Sequence, residues 1–294
     1  MKEKKIGIII TTYSQKELLI NFIESLIEKT NYQNYKIYFI DDSGKGKIGV
    51  KIKKKFPSID VTINKKNLGC SKSYNLGMKK AIKEYPPDYL LLMNDDMKIV
   101  DKNWLQKMVS VAEGNFQVGI LGCRIIYPDR SLQWVAKNGK INFFKQRGYF
   151  EKNEEIKKNQ QVSNIIGCCF LIKKEVIKKI GFWDEKFSPA YGEETDYCFR
   201  AKKAGFNFMY VGETEIIHYG GASTNKLESE WIWFLKKRNA IRLEWKHYSL
   251  WKIIYYTIIH FCSIFDKKGV NIKKKLGLLL KAYQVNIKNR EKFS

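Results

Sequence analysis

A chain of 294 residues is long enough to bury one large α/β domain, or two small ones, around a substantial core. Its 54 Lys and Arg against 30 acids give a formal charge of +24, but the excess is nearly all Lys in a text crowded with Ile and Asn. Genomic base composition produces that pattern as readily as a polyanion partner does, so nucleic acid is not expected from charge alone. The six cysteines, at positions 70, 123, 168, 169, 198 and 262, form neither a C-x-x-C pair nor the regular spacing of a disulfide framework, which argues for reduced thiols.

The charged stretch Met1 to Lys5 leads directly into a strand pattern over Ile6 to Thr11, without an apolar leader, and a cytoplasmic protein is expected. Periodicity then predicts a helix over Gln15 to Glu28, with Leu18, Leu19, Phe22, Ile23, Leu26 and Ile27 on one face, and strands over Lys36 to Ile40 and Val61 to Ile63. A helix over Ser71 to Lys83 and a strand over Tyr89 to Met93 continue the series. Repeated β-α units imply a mainly parallel sheet covered on both faces. The turn after the first strand, Thr11-Thr12-Tyr13-Ser14-Gln15, lacks both G-x-G-x-x-G and G-K-[ST], so dehydrogenases and P-loop NTPases lose ground.

From Val118 to Ile172 the pattern turns β-rich, with strands predicted over Gly119 to Ile126, Lys140 to Phe144 and Asn164 to Ile172, and a mobile loop over Asn153 to Gln161. A helix over Glu194 to Ala204 should stop near Gly205 and lead into a strand over Phe206 to Val211. The expected organisation is a domain over 1–228, divided into halves at 1–115 and 116–228, followed by a basic, aromatic, helical tail over 229–294.

Two apolar runs end in acids: Ile37 to Ile40 is followed by Asp41-Asp42-Ser43, and Leu90 to Met93 by Asn94-Asp95-Asp96. Ligands of open α/β sheets gather at the carboxyl ends of strands. Mg²⁺ or Mn²⁺ takes one or two carboxylates there and completes its shell with phosphate oxygens and water, which points to a nucleoside diphosphate. An Asp pair after a strand also caps helices or fills turns, and these residues alone leave both readings open.

Further motifs follow the same order. They are Asn67-Leu68-Gly69 with Asn75-Leu76-Gly77, Gly181-Phe182-Trp183-Asp184-Glu185, Tyr191-Gly192-Glu193-Glu194-Thr195-Asp196, and Ile216-Ile217-His218-Tyr219-Gly220-Gly221. Together with Thr11-Thr12-Tyr13 and the two acidic turns, they resemble the inverting glycosyltransferases of family 2 over residues 6 to 245, in particular bacterial and archaeal rhamnosyltransferase-like members. The resemblance implies a GT-A fold: an α/β, Rossmann-like, mainly parallel mixed sheet flanked by helices, here with a helical C-terminal appendage. It implies that Thr11 and Tyr13 touch the nucleotide, that Asp41 and Asp42 hold base and ribose, and that Asn67, Gly69 and Asn75 lie close by, with Gly permitting close backbone approach. Asn94 and Asp95 would serve the ribose and diphosphate, and Asp96 with His218 would hold Mn²⁺ or Mg²⁺. Asn94 stands where an acid is commonest.

The implied reaction moves a sugar from a nucleotide diphosphate-sugar to a hydroxyl of a glycan or lipid-linked acceptor. Glu194 occupies the place of the base and replaces the usual Asp with a longer arm; Glu193 and Asp196 stay open as substitutes, and both glutamates also suit a helix N-terminus. Trp183 reads equally as a sugar-stacking ring or as core. A nucleotidyltransferase on a related sheet is the enzymatic alternative, and a nonenzymatic polyanion- or membrane-binding module the other.

From Lys226 to Ser294 the chain carries sixteen Lys or Arg against five acids, a net +11. Trp251, Ile254, Tyr255, Ile258, Ile259 and Cys262 mark one helical face, with Trp231, Phe234 and Trp245 ahead of it and Lys236, Lys237, Arg238, Lys267 and Lys273 to Lys275 nearby. Such a helix suits an anionic membrane interface at the inner face of the membrane, or packing on the domain or a second subunit. Leu250 to Phe265 is too short and interrupted for a span. Arg238-Asn239 resembles the family's Arg-Asn pair, which ties the start of this region to the enzyme.

Overall fold

The first strand of the structure, a computed structural model that describes residues 3–13, 17–134, 155–220, 230–265 and 271–289, is buried along almost its whole length. This is β1 (Ile6–Thr12), a run of β-branched residues of the kind that parallel strands covered on both faces require. The elements that follow are α1 (Glu17–Glu28), β2 (Tyr35–Asp41), α2 (Lys47–Lys55), β3 (Asp60–Ile63), α3 (Cys70–Glu84), β4 (Tyr89–Met93), β5 (Met97–Ile99) and α4 (Trp104–Glu113). The second half comprises β6 (Val118–Ile126), β7 (Leu132–Trp134), β8 (Gln160–Val162), β9 (Cys169–Lys173), α5 (Lys174–Ile180), α6 (Glu193–Lys203) and β10 (Asn207–His218). Three helices close the chain: α7 (Glu230–His247), α8 (Leu250–Cys262) and α9 (Ile272–Lys288).

The strands form one mixed sheet in the order β3-β2-β1-β4-β9-β6-β10-β5, with β7 paired to β6 and β8 to β10. The first four run parallel, β9 enters antiparallel between β4 and β6, and β5 returns antiparallel along β10. One apolar cluster gathers around Phe22, Phe39, Leu91 and Trp104, a second around Tyr38, Met78, Phe170 and Trp183, so both faces of the sheet are covered. Residues at the carboxyl ends of β1, β2 and β4 are brought level by register, which pairs Thr12 with Asp41 and Ile10 with Met93.

Several elements depart from expectation for local reasons. Only Cys169 to Lys173 pairs as a strand where Asn164 to Ile172 was expected; the residues before it run as a loop whose Cys168 carbonyl accepts from the Asn94 amide at 3.0 Å. The strand predicted over Phe206 to Val211 continues to His218 through a register shift between Val211 and Glu215, where Gly212 meets the 156–158 backbone too closely for any side chain. Within Asn153 to Gln161, residues Glu155–Lys157 make a 3₁₀ turn and Gln160 begins β8. The predicted strand over Lys140 to Phe144 lies outside the described residues. Helices α2 and α5 escape periodicity because they are short and lysine-rich, with five Lys in nine residues and three in seven.

The C-terminal helices are bound into this frame. One side-chain amide of α7, Asn239 Nδ2, donates to the carbonyls of Phe187, Ala190 and Tyr191 at 2.7 to 2.9 Å. Arg242 reaches Asp184 at 2.6 Å, and Lys246 reaches Asp196 at 2.7 Å.

Gly77 is the contact point of α3 with the sheet: a Cβ there would press into Cγ2 of buried Ile9 and lie 3.4 Å from Cγ1 of Ile40. Helix propensity favours Ala over Gly by about 1 kcal/mol, but overpacking against a branched methyl in a central strand outweighs it. Gly77→Ala is therefore expected to destabilise the fold by roughly 1–2 kcal/mol, read as a lower urea midpoint; an unchanged or higher midpoint would show that α3 stands off the sheet.

Candidate active site

The first acidic turn looks inward. Asp41 is fully buried and accepts from the Ser43 amide at 3.0 Å and the Gly49 amide at 2.8 Å, so it shapes the entry to α2. Asp42 accepts from Asn64 Nδ2 and the Leu68 amide at 2.8 Å and from the Gly69 amide at 2.9 Å, which folds the 64–69 loop against the end of β2. Gly69 takes φ +86°, and a Cβ would lie 2.7 Å from Cα of Pro189: its bareness serves the meeting of α3 with the 188–190 loop. Asn75 exchanges two hydrogen bonds with the backbone of Trp183, at 2.9 and 3.0 Å, and so joins α3 to the acceptor-side segment. Of the residues predicted at the nucleotide, Tyr13 and Asn67 are exposed and Thr11 half-buried along the carboxyl edge of the sheet.

The second acidic turn looks outward and meets a partner from the far side of the sheet. Strand β5 pairs β10 with Met97 opposite His218, which sets Asp96 Oδ1 at 3.0 Å from His218 Nε2. The other ring nitrogen, Nδ1, is hydrogen-bonded to Gln133 Oε1; since that oxygen only accepts, Nδ1 carries a proton and the ring is held with Nε2 toward Asp96. Asn94 Nδ2 lies 3.3 Å from the same nitrogen, and the Thr12 hydroxyl donates to Asp95, which fixes that carboxylate beside the end of β1.

Among the described residues no three His, Cys, Asp or Glu side chains form a metal cluster. One carboxylate and one imidazole with an oriented second nitrogen are a donor set suited to a divalent cation that takes its remaining ligands from phosphate and water. Gln133 had no sequence signal, because a residue that orients a metal-binding His is recognisable only by its place behind the ring.

The acceptor-side carboxylates separate into different states. Gly192, at φ +89°, and Tyr191, at φ +80°, turn the chain sharply into α6, where Glu193 is buried and Glu194 half-buried. Burial first, and then the charge of Glu194, push Glu193 up to about 8; its Oε2 has no hydrogen-bond partner among the described residues. Glu194 is also raised by burial, and it packs beside Gly167, where an added Cβ would come within 3.3 Å of its own Cβ. The Gly167-Cys168 turn thus touches Glu194 on one side and hydrogen-bonds Asn94 on the other.

Asp196 behaves differently from the substitute base that its position suggests. Burial raises its pKa, but the hydrogen bond from His247 at 2.8 Å and the charges of Arg200 and Lys246 outweigh this and hold it well below the usual range. It is a permanently ionised anchor between α6 and α7. Trp183 is 3% exposed and packs against the rings of Tyr74, Phe170 and Tyr197, so it is core and no sugar platform.

The mixed parallel and antiparallel sheet, with two acidic turns at its carboxyl edge, has the GT-A arrangement. The chain belongs to glycosyl transferase family 2, whose family model matches residues 7–181. It is 22% identical over 227 residues to the O-antigen biosynthesis protein RfbC of Myxococcus xanthus, covering 74% of this chain and 18% of that protein. It is 23% identical over 174 residues to the low-salt glycan biosynthesis hexosyltransferase Agl10 of Haloferax volcanii, covering 59% and 56%. The chain therefore spans less than two thirds of either relative. Among solved structures it resembles GalNAc-T7 with UDP, GalNAc and Mn²⁺, at a TM-score of 0.67 and 14% identity, covering 95% of this chain and 55% of that one.

The raised Glu193 has a pH signature. In the folded chain it keeps its proton up to about pH 8, whereas unfolded glutamate ionises near 4.3. The unfolded state thus binds fewer protons across that window, and the wild type loses stability as pH rises through it. Glu193→Gln should gain stability relative to wild type between about pH 4.5 and 8, by up to about 5 kcal/mol for the full shift, with no further change above. A difference that stays flat across urea titrations in this range would contradict the buried neutral carboxyl.

Proposed function

We propose that this glycosyltransferase transfers a sugar, with inversion, from a nucleoside diphosphate donor to a hydroxyl of a glycan or lipid-linked acceptor. The observation that carries the reading is the carboxylate-imidazole pair, Asp96 Oδ1 and His218 Nε2, at 3.0 Å on the carboxyl edge of the sheet. These two residues would hold Mn²⁺ or Mg²⁺. When bound, the cation supplies charge that stabilises the departing diphosphate. The Mn²⁺ and UDP of the structurally similar GalNAc-T7 support this choice of cation and donor class.

Thr11, Tyr13 and Asn67 are assigned to the nucleotide face, and Asn94 and Asp95 to the ribose and diphosphate. Asp41, Asp42, Gly69 and Asn75 support that face from behind by shaping its turns. Glu194 is the base: it takes the proton of the acceptor hydroxyl as that oxygen bonds to the anomeric carbon, and the bond from that carbon to the diphosphate breaks with its electron pair leaving on the phosphate oxygen. Neighbouring carboxyls with different environments divide acid and base states between them. Neutral Glu193 leaves the ionised role to Glu194, the more exposed of the two.

The test is release of nucleoside diphosphate from a panel of nucleotide sugars with Mn²⁺ and glycan acceptors. Glu194→Gln should lower kcat by about 10²–10⁴-fold while donor affinity holds. Full turnover in that variant, or an equal loss confined to Glu193→Gln, would move the base elsewhere.

A further inference from the structure

Helix α8 leaves much of its apolar surface uncovered. Its inward face carries His260, fully buried and hydrogen-bonded through Nε2 to Glu244 at 3.0 Å, with Lys237 beside Nδ1 at 3.5 Å. Its outward face carries Trp251, Ile254, Tyr255, Ile258 and Phe261, spaced three or four apart along one stripe, and all five are exposed, Trp251 to 80%. A soluble surface helix shows the reverse arrangement. Exposed contiguous apolar surface of this kind marks an interaction site. Among the described residues no helix is long and apolar enough to cross a membrane, and thirteen residues reach only about 20 Å.

Charge identifies what covers the stripe. From Tyr248 to Asn289 the sequence carries eight Lys and a single acid, Asp266; of these Lys275 is buried and Lys274 pairs with Glu230 at 2.6 Å. Lys252 lies on α8 itself, while Lys273, Lys281 and Lys288 are exposed on α9, which also exposes Leu276 and Leu280. Protein interfaces are depleted of Lys at their centres, whereas aromatic and aliphatic side chains interleaved with Lys match the boundary between acyl chains and anionic headgroups. We propose that α8, flanked by α9, docks this enzyme on an anionic phospholipid surface by lying in the headgroup plane. The helix before it, α7, holds Asp184 and Asp196 through Arg242 and Lys246, so docking of α8 fixes how α6 and its glutamates face the bilayer.

The experiment is co-sedimentation of the full chain with vesicles of phosphatidylcholine alone and of phosphatidylcholine with phosphatidylglycerol, for wild type and for Trp251→Glu/Ile258→Glu. Both substitutions lie on the exposed face, and retained release of nucleoside diphosphate from donor sugar reports that the fold and site are intact. Wild type should partition onto the anionic vesicles, with the double variant weaker by about ten-fold and the wild type weakened at 1 M salt, where screening shortens to about 3 Å. Equal binding of wild type and variant, or no preference for the anionic vesicles, overturns the proposal. So does a wild-type dimer in sedimentation velocity that the same substitutions dissociate, because the stripe would then be covered by a second copy. None of these outcomes depends on which sugar is transferred.

Discussion

A single buried carboxylate couples α6 to α7. Asp196 is withdrawn from water and met by Arg200 from its own helix and by Lys246 and His247 from α7. Breaking such a cluster by removing one partner costs about 3–5 kcal/mol, because the remaining charges stay buried without compensation. Arg200 extends the grip by donating to the carbonyls of Ile180 and Phe182, which holds the Gly181 to Glu185 stretch against α6. The two glutamates one turn earlier inherit their position from this anchor. The acid in the motif that sits deepest is thus the one least able to exchange a proton with an acceptor.

The donor side rests on a different constraint, that of sheet topology. Asp96 and His218 are 122 residues apart in sequence and meet because β5 turns back antiparallel along β10. The pairing is local to that sheet edge, and Gln133, next to β6 through β7, sets the ring from behind. In the proposed metal site, one carboxylate and one imidazole with an oriented second nitrogen would need substrate phosphates to complete the shell. Binding of cation and donor are therefore expected to be linked.

The repeated β-α units, the parallel first half of the sheet and the helix expected from Glu194, which starts at Glu193, were legible in the residues, because apolar runs and acidic strand ends write them locally. The acids at the end of β4 were legible as a cation candidate from the residues, but the pairing of Asp96 with His218 was suggested only by the resemblance, since nothing at either position indicates the other. The support roles of Asp41, Asp42 and Asn75 were not legible: a carboxylate that closes a turn and one that meets a ribose follow a strand in the same way, and only burial and partners separate them. Trp183 follows the same rule, with three aromatic neighbours deciding for the core. Helices α2 and α5 were hidden by lysine, which masks a short apolar face.

The measurement that bears most directly on the central claim is anomalous diffraction from crystals grown with Mn²⁺ and a nucleoside diphosphate. A single strong peak within about 2.0–2.3 Å of one Asp96 carboxylate oxygen and His218 Nε2, with the diphosphate on its open side, is the result this account predicts. A nucleotide bound without a peak at that pair, or a peak at another carboxylate, would contradict it.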